Sequence, residues 1–175
     1  MILVISTCKE KLHEFEFVKP IENILKINKI KFFTRHYKKL ADKDIANSKM
    51  IIICGTSLKD NSFFDDIGMF EFLKKYRGKV LGICSGMHIL GLVFNGKKVR
   101  KKQIGEINAE FKNSFLGIKG RRKVYSLHGY YVKSKSFDYF ADDQAMKHKT
   151  KHFYGVLFHP EVRNNDIIIY FAKDI

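Results

Sequence analysis

Residues Lys79–Gly91 read KVLGICSGMHILG, and no other stretch constrains the fold as strongly. Val80, Leu81 and Ile83 form a short apolar run ending at Cys84, which predicts a buried strand. Met87, Ile89, Leu90 and Leu92 follow at spacings that suit a helix packed on a sheet. Cys84 therefore sits where a strand turns abruptly into a helix. Gly82 and Gly86 flank it, and without Cβ atoms they let the two elements approach closely. In a glycine-x-nucleophile-x-glycine elbow, the central residue occupies a strained backbone conformation at such a turn. Free N–H groups at the helix start would favour a thiolate there. Taken alone, the stretch also fits a structural cysteine buried at a strand end.

The first half of the chain alternates strand and helix signals around this elbow. MILVIST at the N-terminus reads as a strand, and Phe17–Lys29 has helical periodicity with Pro20 in its first turn. IKFFTRHY follows as a second strand, and Lys49–Gly55 (KMIIICG) as a third, nearly all apolar as a central parallel strand should be. Phe64–Tyr76 reads as an amphipathic helix before the strand that leads into Cys84. Such alternation predicts an α/β fold: an open, mostly parallel sheet flanked by helices, with ligands at the carboxyl ends of the strands. Between Val99 and Phe158 the pattern changes to short strands and turns (VYSLHGYYV, FDYFA, QAMKHK, HFYGVLF), expected as antiparallel additions at the sheet edge. NNDIIIYFAKDI closes the chain as a helix.

The 175 residues are expected to form one domain, 1–175, with 45% hydrophobic residues to fill a core. The apolar runs are of strand length, which excludes a transmembrane helix, and MILVIST lacks the basic flank of a signal peptide. Cys8, Cys54 and Cys84 are odd in number and widely spaced, which points to a reducing cytoplasm and away from a disulfide framework. His88 stands four residues after Cys84, but two further ligands at a metal-binding spacing are lacking, so no metal is expected. The formal charge of +15 collects in KKVRKK, KGRRK and KHKTKH. No helix-turn-helix, zinc-finger or ribonucleoprotein pattern accompanies those runs, so nucleic acid is not the expected partner.

HFYGVLFHPEV, His152–Val162, is the second informative stretch. Tyr154–Phe158 reads as a strand, and His159 and Glu161 emerge from its end, with Pro160 expected to keep the backbone between them extended. A thiol nucleophile needs a base within hydrogen-bond reach, and the base needs an acceptor to orient it. Cys84, His159 and Glu161 supply those types.

With GICSG in mid-chain and GVLFHPEV near the end, the sequence resembles the class I (triad-type) glutamine amidotransferases along nearly its whole length. AMKHK preceding YGVLFHPEV makes it most similar to the stand-alone glutaminase subunits of archaeal-type GMP synthases. The resemblance implies a flavodoxin-like three-layer sandwich and a Cys84–His159–Glu161 triad that hydrolyses L-glutamine. It implies an oxyanion hole from the backbone N–H groups of Gly55 and Ser85, and a substrate pocket at Gly86, His88, Ser126, Leu127 and His128. It also implies a separate ATP-dependent synthetase as partner, aminating XMP to GMP and carrying the ATP and magnesium, with no cofactor in this chain. GLVFNGKK is not a P-loop, because its glycine spacing is wrong and no Ser or Thr follows.

Four positions depart from the family pattern. The loop usually written GGP is CGTS here; His88 stands where a substrate-holding Gln is usual; Leu157 replaces a polar residue; and Tyr130 occupies the place of an Asp. These changes touch substrate recognition more than the triad. They leave open an enzyme acting on another amide, or a binding or regulatory module of the same fold.

Overall fold

The computed structural model describes residues 1–173. The first half runs β1 (Ile2–Ser6), α1 (Glu14–Phe17), α2 (Lys19–Ile27), β2 (Phe32–His36), α3 (Asp42–Ala46), β3 (Met50–Ile53), β4 (Lys79–Ile83) and α4 (Ser85–Val93). The second half runs β5 (Lys97–Phe115), β6 (Ile118–Lys133), β7 (Phe137–Phe140), β8 (Ala145–His148), β9 (Phe153–Val156), α5 (Pro160–Arg163) and α6 (Asn165–Lys173). The main sheet has the order β2-β1-β3-β4-β9-β8-β7. Its first five strands are parallel, and β8 and β7 extend it antiparallel. The expected mostly parallel α/β architecture is thus present.

Strand alternation divides the core into two layers. Ile2, Val4, Ile52, Leu81 and Ile83 face α2 and α6, where Ile21, Leu25, Ile167 and Phe171 meet them. Leu3, Ile5, Ile51, Ile53 and Val80 face the other way, onto Met87, Leu90 and Val93 of α4 and onto Phe70 and Leu73. Successive side chains of a strand point to opposite faces, so a strand apolar at every position is the one that is covered on both. At about 25 cal/mol per Å2, each fully buried Leu, Ile or Phe contributes on the order of 1.5–3 kcal/mol to holding these layers.

Several expectations need correction. The helix expected at Phe64–Tyr76 is replaced by two 3-10 segments, Ser62–Phe64 and Ile67–Lys74. Phe70 and Leu73, three apart, are the residues it buries, a spacing that the three-residue turn satisfies directly. The helix expected over Phe17–Lys29 starts earlier, as α1, and continues as α2 to Ile27, with Lys29 closing it in the left-handed region at φ 57°. The closing helix covers Asn165–Lys173, and the last two residues of the stretch lie outside the described ones.

The largest correction concerns residues 97–133. They do not form short strands at the sheet edge. β5 and β6, 19 and 16 residues long, pair antiparallel as a separate two-stranded ribbon. Ala109, Phe111, Val124, Ser126 and His128 turn inward at every second position, while most of the intervening side chains are charged or polar. This period-two pattern lets a long ribbon lie across the body with one face covered. Within 97–133 there are eleven Lys and Arg against two Glu, so +9 of the chain's +15 resides here.

Candidate active site

β4 delivers Cys84 to the carboxyl edge of the sheet. Cys84 adopts φ 49° and ψ −101°, a conformation that costs a residue with a Cβ about 1–3 kcal/mol. Two features hold it there. Its N–H donates to the Val156 carbonyl at 2.8 Å, extending the β4–β9 pairing past the end of β4, and its own carbonyl accepts from His88 N–H at 3.1 Å in the first turn of α4. The flanking glycines are sterically obligatory. A Cβ on Gly82 would stand 2.5 Å from the Gly86 backbone, and one on Gly86 would stand 2.3 Å from the Ile53 carbonyl oxygen. Gly86 therefore serves the crossing of α4 over β3 and does not line the pocket.

β9 delivers the second half of the site. His159 follows it in extended conformation, and its N–H donates to the Tyr125 carbonyl of β6 at 2.8 Å. The backbone then does not stay extended as expected: Pro160 is the first residue of α5, where its fixed φ suits a helix start. The turn still brings Glu161 back, and His159 Nδ1 donates to Glu161 Oε1 at 2.7 Å with both side chains about 1% exposed. Burial pulls the imidazole's pKa down, yet the Glu161 carboxylate and Cys84 outweigh it and hold it well above the usual histidine value. The other ring nitrogen, Nε2, is buried without a partner, and Phe17 packs on the ring at 5.4 Å.

Gly55 joins the two halves. A Cβ there would lie 2.6 Å from His159 Cε1 and 3.4 Å from Cys84 Cβ, so imidazole, thiol-bearing residue and loop glycine converge on one point. The Cys84 thiol donates to the Leu127 carbonyl at 3.4 Å. Ser85 opens α4, where no preceding turn supplies a carbonyl for its N–H. Its hydroxyl is bound to the Cys54 carbonyl at 3.0 Å and to Thr7 Oγ1 at 2.8 Å, which ties the elbow to β1 and β3.

A pocket of about 20 Å3 adjoins Cys84, lined by Thr56, Asp60, Phe63, Ser85, His88, Leu127, His128 and Tyr130 among others. That is room for a single water, so an amino-acid substrate requires its walls to part. Of the residues expected at the substrate, His88, Leu127 and His128 line it. Ser126 does not: it is fully buried and donates to Gln144 Oε1 at 3.4 Å. Leu157 is fully buried in the core and does not line the pocket.

Sequence reading missed Asp60 and Thr7. Asp60 Oδ2 meets Thr56 Oγ1 at 2.8 Å, Lys9 N–H at 3.0 Å and His13 Nδ1 at 2.8 Å, which pins the loop after β3 to the loop after β1. Burial raises the Asp60 pKa, but these donors together bring it below the usual carboxylate value. The position of Thr7 at the carboxyl end of a central strand was the only signal available for it.

The glutamine amidotransferase class-I family model matches residues 13–167. The chain is 32% identical over 166 residues to the glutamine-hydrolyzing GMP synthase of Oceanobacillus iheyensis, covering 80% of this chain and 31% of that protein. It is 30% identical over 139 residues to a glutamine-hydrolyzing GMP synthase subunit of Picrophilus torridus, covering 71% of this chain and 74% of the relative. It thus spans about a third of the Oceanobacillus protein and most of the Picrophilus one. The crystal structure of a putative GMP synthase subunit from Thermoplasma acidophilum superimposes with TM-score 0.86 over 98% of this chain and 92% of that one, at 18% identity, so it speaks for the fold. Fold, elbow and profile agree: the chain belongs to the class I glutamine amidotransferase family.

Proposed function

We propose that the chain is a glutaminase subunit that hydrolyses L-glutamine at Cys84 and hands the ammonia to a separate ATP-dependent synthetase, the one that aminates XMP to GMP. One observation carries the reading: a buried His159–Glu161 pair whose second imidazole nitrogen is free, set beside a cysteine held in a strained elbow.

The Cys84 thiolate adds to the carboxamide carbon while His159 is an imidazolium. The negative oxygen that forms is met by the N–H groups of Ser85 and Gly55. The C–N bond then breaks as His159 Nε2–H protonates the departing nitrogen, leaving a γ-glutamyl thioester and ammonia. Neutral His159 next takes a proton from water, hydroxide attacks the thioester, and glutamate leaves with the thiolate restored. Glu161 holds Nδ1 protonated throughout, so Nε2 is the nitrogen that exchanges the proton.

Names of relatives support the acceptor: both are glutamine-hydrolyzing GMP synthases, one of them named as a single subunit of such an enzyme. ATP and magnesium belong to the partner in this reading, and this chain carries no cofactor of its own. Three free cysteines suit a cytoplasmic setting. The narrow pocket favours activity that rises when the partner docks, since contact with a second protein can supply the energy to part its walls. The test is ammonia release from glutamine by wild type and Cys84→Ala, alone and with the synthetase, XMP and ATP. Cys84-dependent release that the partner increases supports the reading. Silence in every mixture refutes it.

A further inference from the structure

We propose that the cavity at the carboxyl ends of β1 and β2 is a binding site for a phosphate dianion, free or carried on a small metabolite, and that it is separate from the pocket at Cys84.

The candidate active site draws its chemistry from residues that follow β3, β4 and β9. Ligands of open parallel sheets gather along this same carboxyl edge. Beside β1 and β2 the edge opens into a cavity of about 530 Å3, against about 20 Å3 at Cys84. That falls within the size range of small-molecule sites, roughly 300–1,000 Å3. Its walls are cationic. Lys9 and Lys11 come from the segment after β1, Arg35 from β2 and Lys39 from the 3-10 turn Tyr37–Lys39, while Glu14 is the one carboxylate of the lining. The ammonium groups of Lys9, Lys11 and Lys39 have no hydrogen bond or ion pair among the described residues. Arg35 is 46% exposed; its Nε lies 3.4 Å from Asp44 Oδ1 and its Nη1 donates to the Thr34 carbonyl at 3.0 Å, which leaves Nη2 uncommitted. Like charges around one cleft repel each other, and the low-dielectric walls concentrate a field that draws anions in.

Internal hydrogen bonds fix the cavity's frame without a ligand. His36 Nε2 donates to the Cys8 carbonyl at 2.9 Å, which ties the end of β2 to the segment after β1. Lys9 N–H donates to the buried Asp60 carboxylate at 3.0 Å and anchors that segment from the other side. His36 Nδ1 accepts from Lys38 N–H at 3.2 Å, so both ring nitrogens are spent on backbone and His36 offers the cavity ring surface only. The Thr34 hydroxyl is spent on Glu22 Oε1 at 2.6 Å. Cys8 is 2% exposed, and burial pushes its thiol up to about 11, so it adds no negative charge. What remains to meet a ligand is three ammonium groups and one guanidinium.

Those groups select the ligand. A phosphate monoester carries roughly −1.5 to −2 charges near neutral pH and three strong acceptor oxygens, so it can engage several of the cations at once. A carboxylate brings one charge and two oxygens. The Arg35 guanidinium suits a phosphate's planar pairs of oxygens, and the lysines supply point charges on flexible stems. Glu14 opposes an anion but is outnumbered by four cations on the same lining. The cavity exceeds the size of one phosphate, which leaves room for an organic body against the His36 ring and the lysine stems.

The test titrates the full chain with ribose 5-phosphate, inorganic phosphate and ribose at constant ionic strength, read by calorimetry and by NMR amide shifts. Saturable binding of the two phosphates is expected, with shift changes centred on residues 8–14 and 34–39, and none with ribose. Tighter binding of ribose 5-phosphate than of inorganic phosphate identifies a metabolite as the carrier, and equal binding identifies free phosphate; both uphold the site. Lys11→Glu/Lys39→Glu should weaken binding on the order of 10-fold or more. Lys119→Glu/Lys149→Glu alters the net charge equally at exposed positions elsewhere and should leave binding within about 2-fold. Glu14→Gln should tighten it about 2- to 5-fold, the scale of one exposed charge. Thermal unfolding confirms that each variant is folded, and Lys11→Ala/Lys39→Ala replaces the Glu pair if that pair is not. No saturable binding up to about 10 mM overturns the proposal. So do shift changes that map to the Cys84 pocket or to the β5–β6 ribbon, equal loss in the two double variants, or binding of ribose as tight as that of its phosphate. None of these readouts depends on ammonia release, so the result stands apart from the glutaminase reading.

Discussion

Replacing His88 by Gln should make the protein less sensitive to acid, and the structure sets the size of the effect. His88 titrates near 4 when folded, because burial, His128 and Lys98 all oppose its charge. A free histidine titrates near 6.5. As pH falls below about 6.5 the unfolded chain takes up the proton first, so stability that is fully present above that value drains away toward pH 4. Between pH 7 and pH 5 the loss from this one ring is about 2 kcal/mol, and it approaches roughly 3.4 kcal/mol once pH is below 4. Glutamine does not titrate, and its amide can still donate to the Tyr130 carbonyl that now holds Nε2. Urea unfolding of wild type and His88→Gln at pH 7, 6 and 5 reads this directly. The variant is expected to start lower at pH 7, because the stacking on Phe63 and Phe64 is lost. The gap should then close by about 2 kcal/mol at pH 5. Two parallel stability curves would show that His88 is not the buried neutral ring described.

Three further outcomes follow from the same geometry. Cys84→Gly should be more stable than Cys84→Ala by about 1–2 kcal/mol in thermal or urea unfolding, because only glycine escapes the penalty of φ 49° with ψ −101°. Gly86→Ala should destabilise by about 1–3 kcal/mol or more, since its Cβ would meet the backbone carbonyl of a central strand at 2.3 Å; a melting temperature unchanged from wild type would contradict that packing. Glu161→Gln should lower kcat for glutamine hydrolysis on the order of 100-fold or more with little change in KM, because the proton on Nδ1 loses its anionic acceptor.

How far the sequence disclosed this molecule differs between its two halves. The parallel strands were legible because Ile51, Ile52 and Ile53 are apolar on both faces, which only a covered strand tolerates. The elbow was legible because a Cβ on Gly82 or Gly86 would stand within about 2.5 Å of other backbone, so their type is dictated by packing. The ribbon was not. Its inward positions include Ser126 and His128, whose polarity hides the period-two signal that Ala109 and Phe111 carry. The segment at Ile67–Lys74 was misread because three- and four-residue spacings of Phe and Leu look alike over two turns. At the site, Cys84, His159 and Glu161 stood out by residue type and order. Asp60 and Thr7 did not, because they act by pinning loops together and their partners on the other loop lie 47 to 78 residues away. Ser126 failed as a pocket residue because the ribbon turns its side chain to Gln144, while Leu127 and His128, next along the strand, remain at the pocket.

The central claim is that Cys84 forms a covalent bond to the substrate with His159 as its proton carrier. Acid quenching of the protein during glutamine turnover, followed by peptide mass spectrometry, tests it most directly. The account predicts a γ-glutamyl adduct on the peptide containing Cys84, absent in Cys84→Ala, with Cys8 and Cys54 unmodified in their buried positions. Ammonia release that continues in Cys84→Ala, or an adduct that maps to Cys8 or Cys54, would contradict it.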